Sequence, residues 1–262
     1  VRAELVGGGA VVCNSTEGAA GVVSVEVTTN GRDFSASGAL YELVSVLVSD
    51  VAPWSGPQLG GTLVTLVGAG FDDVELSCRF GDEAAVAAST HGAEAVRCAS
   101  PAGLPTGWSS VELLSHGETL RSGGSFFYHA RMWVSAVAPL LGPVEGGTRL
   151  AVGGSHFREA ATLRCRFEES SATVVARFVS SDQLECATPV QSGAGSRRVE
   201  VSMNAQQFSE GGASFTYVGA PSVSSVWPAR GASEGGTPVT VHGANLAGAS
   251  EELGYLQCRF NS

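Results

Sequence analysis

Valine and leucine recur at every second position in short runs along this chain, the period of a strand with one buried face. Gly21 to Thr28 reads G-V-V-S-V-E-V-T. Val44, Val46 and Val48 alternate, and Leu63, Thr65 and Val67 face one way while Val64 and Leu66 face the other. Gly, Pro, Asn and Ser separate the runs and turn the chain. No long segment keeps a 3.6-residue period with capping residues, so helix is at most a minor component. The pattern predicts an all-β chain.

The runs are themselves repeated. Val51–Thr62 reads V-A-P-W-S-G-P-Q-L-G-G-T, Val137–Thr148 reads V-A-P-L-L-G-P-V-E-G-G-T, and Val226–Thr237 reads V-W-P-A-R-G-A-S-E-G-G-T. From Thr62 to Thr148 is 86 positions and from Thr148 to Thr237 is 89, a period that fits a whole small domain. In each copy Pro ends one strand and Gly supplies the bend into the next. A closing hairpin recurs too: Val111-Glu112-Leu113, His116-Gly117 and Phe126-Phe127-Tyr128, then Val199-Glu200-Val201, Asn204 and Phe215-Thr216-Tyr217. Its earlier counterpart is the run ending at Asn30-Gly31, a hairpin turn signal, with Ala39-Leu40-Tyr41 as partner strand.

These landmarks divide the chain into residues 1–42, the second half of a domain, complete copies at 43–129 and 130–219, and residues 220–262, the first part of another copy, ending soon after its third strand. About seven short runs per complete copy predict a two-sheet sandwich. Only a few residues separate copies, which predicts a semi-rigid rod.

Six cysteines keep the same register. Cys78, Cys165 and Cys258 each open Cys-Arg-Phe, and Cys98, Cys186 and Cys13 hold a second position before the closing Tyr. Each complete copy therefore holds one pair, Cys78 with Cys98 and Cys165 with Cys186, read as disulfides. Buried thiols are the weaker reading, and metal ligation is weaker still because there is no C-x-x-C and no His at ligand spacing. Cys13 and Cys258 are read as half-pairs whose partners lie outside this chain. Disulfides predict an oxidising compartment, and Asn14-Ser15-Thr16 is a glycosylation acceptor at Asn14.

The charge balance narrows the partners. A net charge of −10, with fifteen Arg, no Lys and no basic run, disfavours nucleic acid. No apolar run reaches membrane-spanning length, so any anchor is expected outside this segment. Gly231-Ala232-Ser233-Glu234-Gly235 matches a nucleophile elbow, yet the other copies lack the Ser and a strand follows, not a helix. His91, His116, His129, His156 and His242 show no repeated carboxylate partner and are read as surface or turn residues. Asp72-Asp73, Glu168-Glu169 and Glu251-Glu252 do not repeat in register and are read as solvated. Trp54, Trp108, Trp133 and Trp227 are candidates for core, junction packing or an exposed anchor. No catalytic residue, metal site or cofactor is expected.

The combined pattern, V-x-P-x-x-G-P-x-x-G-G-T followed by C-R-F, C-x-x-P at Cys98–Pro101 and Cys186–Pro189, and a V-E-V hairpin ending F-x-Y, resembles the IPT/TIG family. The third opening loop departs from it at Arg230-Gly231-Ala232. The resemblance implies tandem immunoglobulin-like β-sandwiches of the E-set type. Disulfide-bearing tandem copies are similar to plexin-like or fibrocystin-like cell-surface proteins. That implies a non-catalytic extracellular rod and interaction surface, binding other proteins or neighbouring copies through sandwich faces or edges. The alternative is a spacer in a secreted carbohydrate-active enzyme.

Overall fold

The computed structural model describes residues 1–71, 75–168, 172–246 and 254–260, and among them every regular element is a strand. Two hairpins come first: β1 (Ala3–Gly7) with β2 (Ala10–Cys13), and β3 (Gly21–Val25) with β4 (Ala39–Leu43). Then follow β5 (Leu47–Ala52), β6 (Ser55–Pro57), β7 (Leu63–Ala69), β8 (Leu76–Phe80), β9 (Val86–Ala87), β10 (Ser89–Thr90), β11 (Ala95–Ala99), β12 (Gly107–Ser115) and β13 (Glu118–His129). The next set repeats that order as β14 (Trp133–Ala138), β15 (Leu141–Pro143), β16 (Arg149–Ser155), β17 (Arg164–Phe167), β18 (Thr173–Ser180), β19 (Gln183–Ala187), β20 (Gly195–Ser202), β21 (Glu210–Gly211) and β22 (Ser214–Val218). A last hairpin joins β23 (Ser222–Trp227) to β24 (Thr240–Ala244).

The chain packs as two compact units. The first is Val1–Ala52 with Thr65–Cys98 and Ser110–Gly124; the second is Pro53–Val64 with Ala99–Ser109 and Ser125–Ser262. In the first, β5 pairs with β7, and β8 lies between β9 and β12. Leu66, Phe80, Val96, Val111 and Leu113 are fully buried, and alternate positions along β8 point into that core. Cys78 on β8 is bonded to Cys98 on β11, which belongs to the other sheet, so the bond ties sheet to sheet.

The second unit holds a nine-stranded arrangement in the order β15-β22-β20-β17-β18-β19-β16-β14-β21. Its core gathers Leu150, Val152, Phe157, Phe167, Leu184, Val199, Val201, Phe215 and Tyr217. Strand β18 joins the two layers, pairing with β17 through Thr173–Val175 and with β19 from Ala176 onward. Cys165 is bonded to Cys186, with Cα atoms 6.5 Å apart. The two sets also share detail. Phe126 and Tyr128 meet edge to face at 5.0 Å, as do Phe215 and Tyr217. The Arg of Cys-Arg-Phe pairs across the sheet with the Glu of the closing hairpin, Arg79 with Glu112 and Arg166 with Glu200.

Several local expectations change. The first strand of the complete copy begins at Leu47, so Val44 and Val46 precede it. A bulge between Val48 and Asp50 then puts Val48 and Val51 on the less exposed face, while Ser49 and Asp50 are exposed. Each complete copy has nine strands where about seven runs were read, because the three-residue β6 and β15 and the short β9, β10 and β21 are too brief to show a period. Asn30-Gly31 is a turn, but Asn30 Oδ1 accepts from the Arg32 and Asp33 amides within a longer loop, and β3 and β4 meet at Val25–Ala39. Cys258-Arg259-Phe260 forms no strand, so the expected third strand of the last copy is absent among the described residues.

Candidate functional site

The repeated loop is built around a close approach. A Cβ on Gly56 would lie 2.1 Å from Thr62 Oγ1, and one on Gly142 would lie 2.4 Å from Thr148 Oγ1. The first Gly and the final Thr of the motif therefore fill one space together. Gly60 has φ +71°, and a Cβ there would meet the Pro101 backbone at 2.6 Å, which links the loop to the C-x-x-P turn. The Thr62 amide donates to Ser100 Oγ and its carbonyl accepts from the Ser100 amide.

Against this loop rests the hairpin tip at 204–207. Asn204 Nδ2 contacts Ser55 O at 3.2 Å, Thr62 Oγ1 at 3.3 Å and Gln207 Oε1 at 2.7 Å. Its Oδ1 accepts from the amides of Gln206 and Gln207, an Asx turn that fixes the tip. Gln206 meets Leu63 as a strand would, accepting from its amide at 2.8 Å and donating to its carbonyl at 3.0 Å. Gln207 accepts from the Thr62 hydroxyl and donates to Gly61 O. Asn204 is 4% exposed and Thr62 fully buried, so the Asn204 bonds to Ser55 and Thr62 are shielded from water, while the Gln206–Leu63 and Gln207–Gly61 bonds lie at the surface.

Beside this clasp lies an aromatic cluster. Trp54 and Trp108 have ring centroids 5.8 Å apart, and Phe127 sits 5.2 Å from Trp108 and 6.3 Å from Trp54. The Arg158 guanidinium lies 4.2 Å over the Phe127 ring. Phe127 is buried beneath these groups, whereas Trp108 is 65% exposed. Strand register aligns Trp54, Trp108 and Phe127 with Leu140, Ser196 and Thr216 of the following copy. The fold therefore does not require aromatic side chains at these positions.

His129 ends β13 and lines a cleft of about 270 Å³ with Pro57, Leu59, Arg131, Gln207 and Glu210. It is 4% exposed, contrary to its expected surface or turn role, because the clasp and linker close over it. Nδ1 lies 2.9 Å from Ala130 O, and a carbonyl only accepts, so that nitrogen carries the proton. Burial pushes the imidazole below its ordinary value; the Ala130 bond opposes the shift and the Arg158 charge adds to it.

The other expected positions are scattered. His116 is in the β12–β13 turn with φ 51°, and His91, His156 and His242 are exposed. Trp133 is half exposed and lies along Gly211, while Trp227 is 72% exposed. Ser233 is in an exposed turn. Cys13 and Cys258 are exposed and unbonded, and Asn14 is exposed beside Cys13. Asp72, Asp73, Glu169, Glu251 and Glu252 lie outside the described residues. Nothing in the sequence around Gln206, Gln207 or Arg158 marks them as functional. The only trace of the clasp there is that this tip reads Asn204-Ala205-Gln206-Gln207 where the previous one reads His116-Gly117.

The pattern that defines the IPT/TIG domain matches residues 47–128, 133–217 and 221–262. Plexin-A3 of Rattus norvegicus is 24% identical over 220 residues, covering 78% of this chain and 11% of that protein. Plexin-B1 of Homo sapiens is 34% identical over 119 residues, covering 43% of this chain and 5% of that protein. The chain is also similar in fold to the solved extracellular region of Plexin A4, at 18% identity and a TM-score of 0.51, covering 72% of this chain and 17% of that one. It thus spans between 5% and 17% of the length of these plexin relatives. With its disulfides, this is an extracellular or cell-surface segment. Among the described residues no helix is long and apolar enough to cross a membrane.

Proposed function

For a chain that belongs to the IPT/TIG domain family, as this one does, we propose the role of a non-catalytic rod and protein-interaction surface within a receptor ectodomain or adhesion protein. The observation that carries the reading is the clasp: three side chains at one hairpin tip bind the opening loop of the previous copy through its backbone and its Thr. Such a joint transmits orientation from copy to copy. The bounds 43–129 and 130–219, with 1–42 and 220–262 as parts of neighbouring copies, belong to this reading. So do glycosylation at exposed Asn14 and bridges from Cys13 and Cys258 to cysteines of completed copies.

The surface offered to a protein partner is the Trp54–Trp108–Phe127 cluster, where a mostly exposed Trp lies on a buried aromatic base. The test places a photo-crosslinking amino acid at Trp108 in the cell-surface protein and, separately, at Ser196, its counterpart in the next copy. Crosslinks to another protein concentrated at 108 support the reading. Equal labelling at both positions, or none, overturns it.

A further inference from the structure

We propose that the joint between residues 43–129 and 130–219 is an acid-opened hinge, held closed by neutral His129 and released when that ring takes a second proton. The inference needs only the geometry of this joint and stands apart from the aromatic surface.

His129 is placed to sense the closed joint. Its carbonyl accepts from the Gln58 amide at 3.1 Å, its ring donates to Ala130 O in the linker, and its side chain lines the cleft that Gln207 and Glu210 close from the other side. The next copy has Val218 in this register, accepting from the Val144 amide in the same way. The fold is therefore satisfied by an apolar side chain, and the imidazole is an addition at this joint.

The charges around the ring decide the direction. From the loop after β16 comes Arg158, which acts on the ring as a like charge. From the linker comes Arg131, already paired with Glu210 of β21. His156, two residues before Arg158, has Nδ1 3.0 Å from Arg131 O. The 57–60 loop contributes Pro57, Leu59 and Gly60 to the cleft wall and no charge. Among the cleft-lining residues Glu210 is the one carboxylate, and Arg131 engages it. A second proton on His129 would put a cation on a buried ring beside the Arg158 charge and the Arg131–Glu210 pair, which is itself about half exposed and already engaged.

Linkage fixes the sign. The closed joint lowers the proton affinity of His129 below that of the freely solvated ring. Its contribution to closure is therefore complete above the ordinary value near 6.5 and is lost as pH falls through the lowered one. A cell-surface segment carried into an acidic vesicle would cross that window.

The test is amide hydrogen exchange on the intact chain near pH 7.5 and near pH 5.0, corrected for intrinsic rates. Exchange in 55–63 and 203–210 should rise about fivefold or more at the lower pH, within the limit of tenfold per pH unit for one proton. Strands β8 and β17 should stay unchanged. His129→Val, which copies the register counterpart, should abolish the rise; His129→Gln tests the same point if the valine variant folds poorly. His156→Gln should keep it. A native chain that does not respond, a response that survives both His129 variants, one lost in His156→Gln, or one shared by β8 and β17 would overturn the proposal.

Discussion

The side-chain amide of Asn204 donates to the main-chain carbonyl of Ser55, 149 positions earlier in the chain, over 3.2 Å. The same amide reaches Thr62 and Gln207, and its oxygen organises the hairpin tip that carries Gln206. One buried side chain thus fixes both the shape of the tip and its grip on the loop.

Asn204→Ala should therefore cost about 1–3 kcal/mol, the range for leaving buried polar partners unmatched. Denaturant unfolding measures the cost, and the loss of protection should begin at residues 55–63. Gln206→Ala, at a more exposed site, should cost less. A smaller effect for Asn204→Ala than for Gln206→Ala would contradict the role given to Asn204.

Gly56→Ala should destabilise by about 1–3 kcal/mol, because the added methyl overlaps the Thr62 hydroxyl and the edge of Phe126. Gly61→Ala has open space around it and should show only backbone strain, about 1–2 kcal/mol at its φ of +76°. Pairing Gly56→Ala with Thr62→Ser should leave the cost in place, since the serine hydroxyl fills the same space. Thermal melts of the three variants separate steric from conformational cost.

Removing the Cys78–Cys98 bond by double substitution to Ala should cost about 3 kcal/mol for a loop of its length. The Cys165–Cys186 bond closes a loop of nearly equal length and should cost about the same. Denaturant titrations with and without reductant give both values. In native protein, peptide mapping should find Cys13 and Cys258 each bridged within a completed copy; free thiols at both would defeat that assignment.

Phe127→Ala should cost about 3–5 kcal/mol, since the ring is buried beneath two tryptophans and an arginine. Trp108→Ala removes a ring that is largely in water and should cost far less in stability while weakening partner binding to the intact protein. Equal melting losses for the two variants would make Trp108 a core residue and remove it from the interaction surface.

Much of this architecture was legible because it repeats. Three copies of the Gly-Gly-Thr loop, cysteines in step with them and Val64 and Leu66 alternating toward the core all stand in the sequence itself. The start of β5 was not legible, because Val44, Val46 and Val48 mimic strand period while pairing begins at Leu47. His129 reads in sequence as a surface or turn residue because its burial depends on groups far along the chain, Gln207 and Glu210 among them. The clasp was hidden for the same reason. Asn and Gln at a hairpin tip are ordinary turn residues until their partners, 142 to 149 positions away, are known.

Thr62 ends the motif that defines each copy, and it is also what the hairpin of the next copy holds. In the first complete copy it is sealed under Asn204 and Gln207; Thr148, at the same place in the next, is only half-buried. Duplicating such a domain duplicates a docking point along with it, so every new unit arrives ready to be gripped. Stiffness in the array is then decided joint by joint, by a handful of hairpin residues, with no change to the sandwich that carries them.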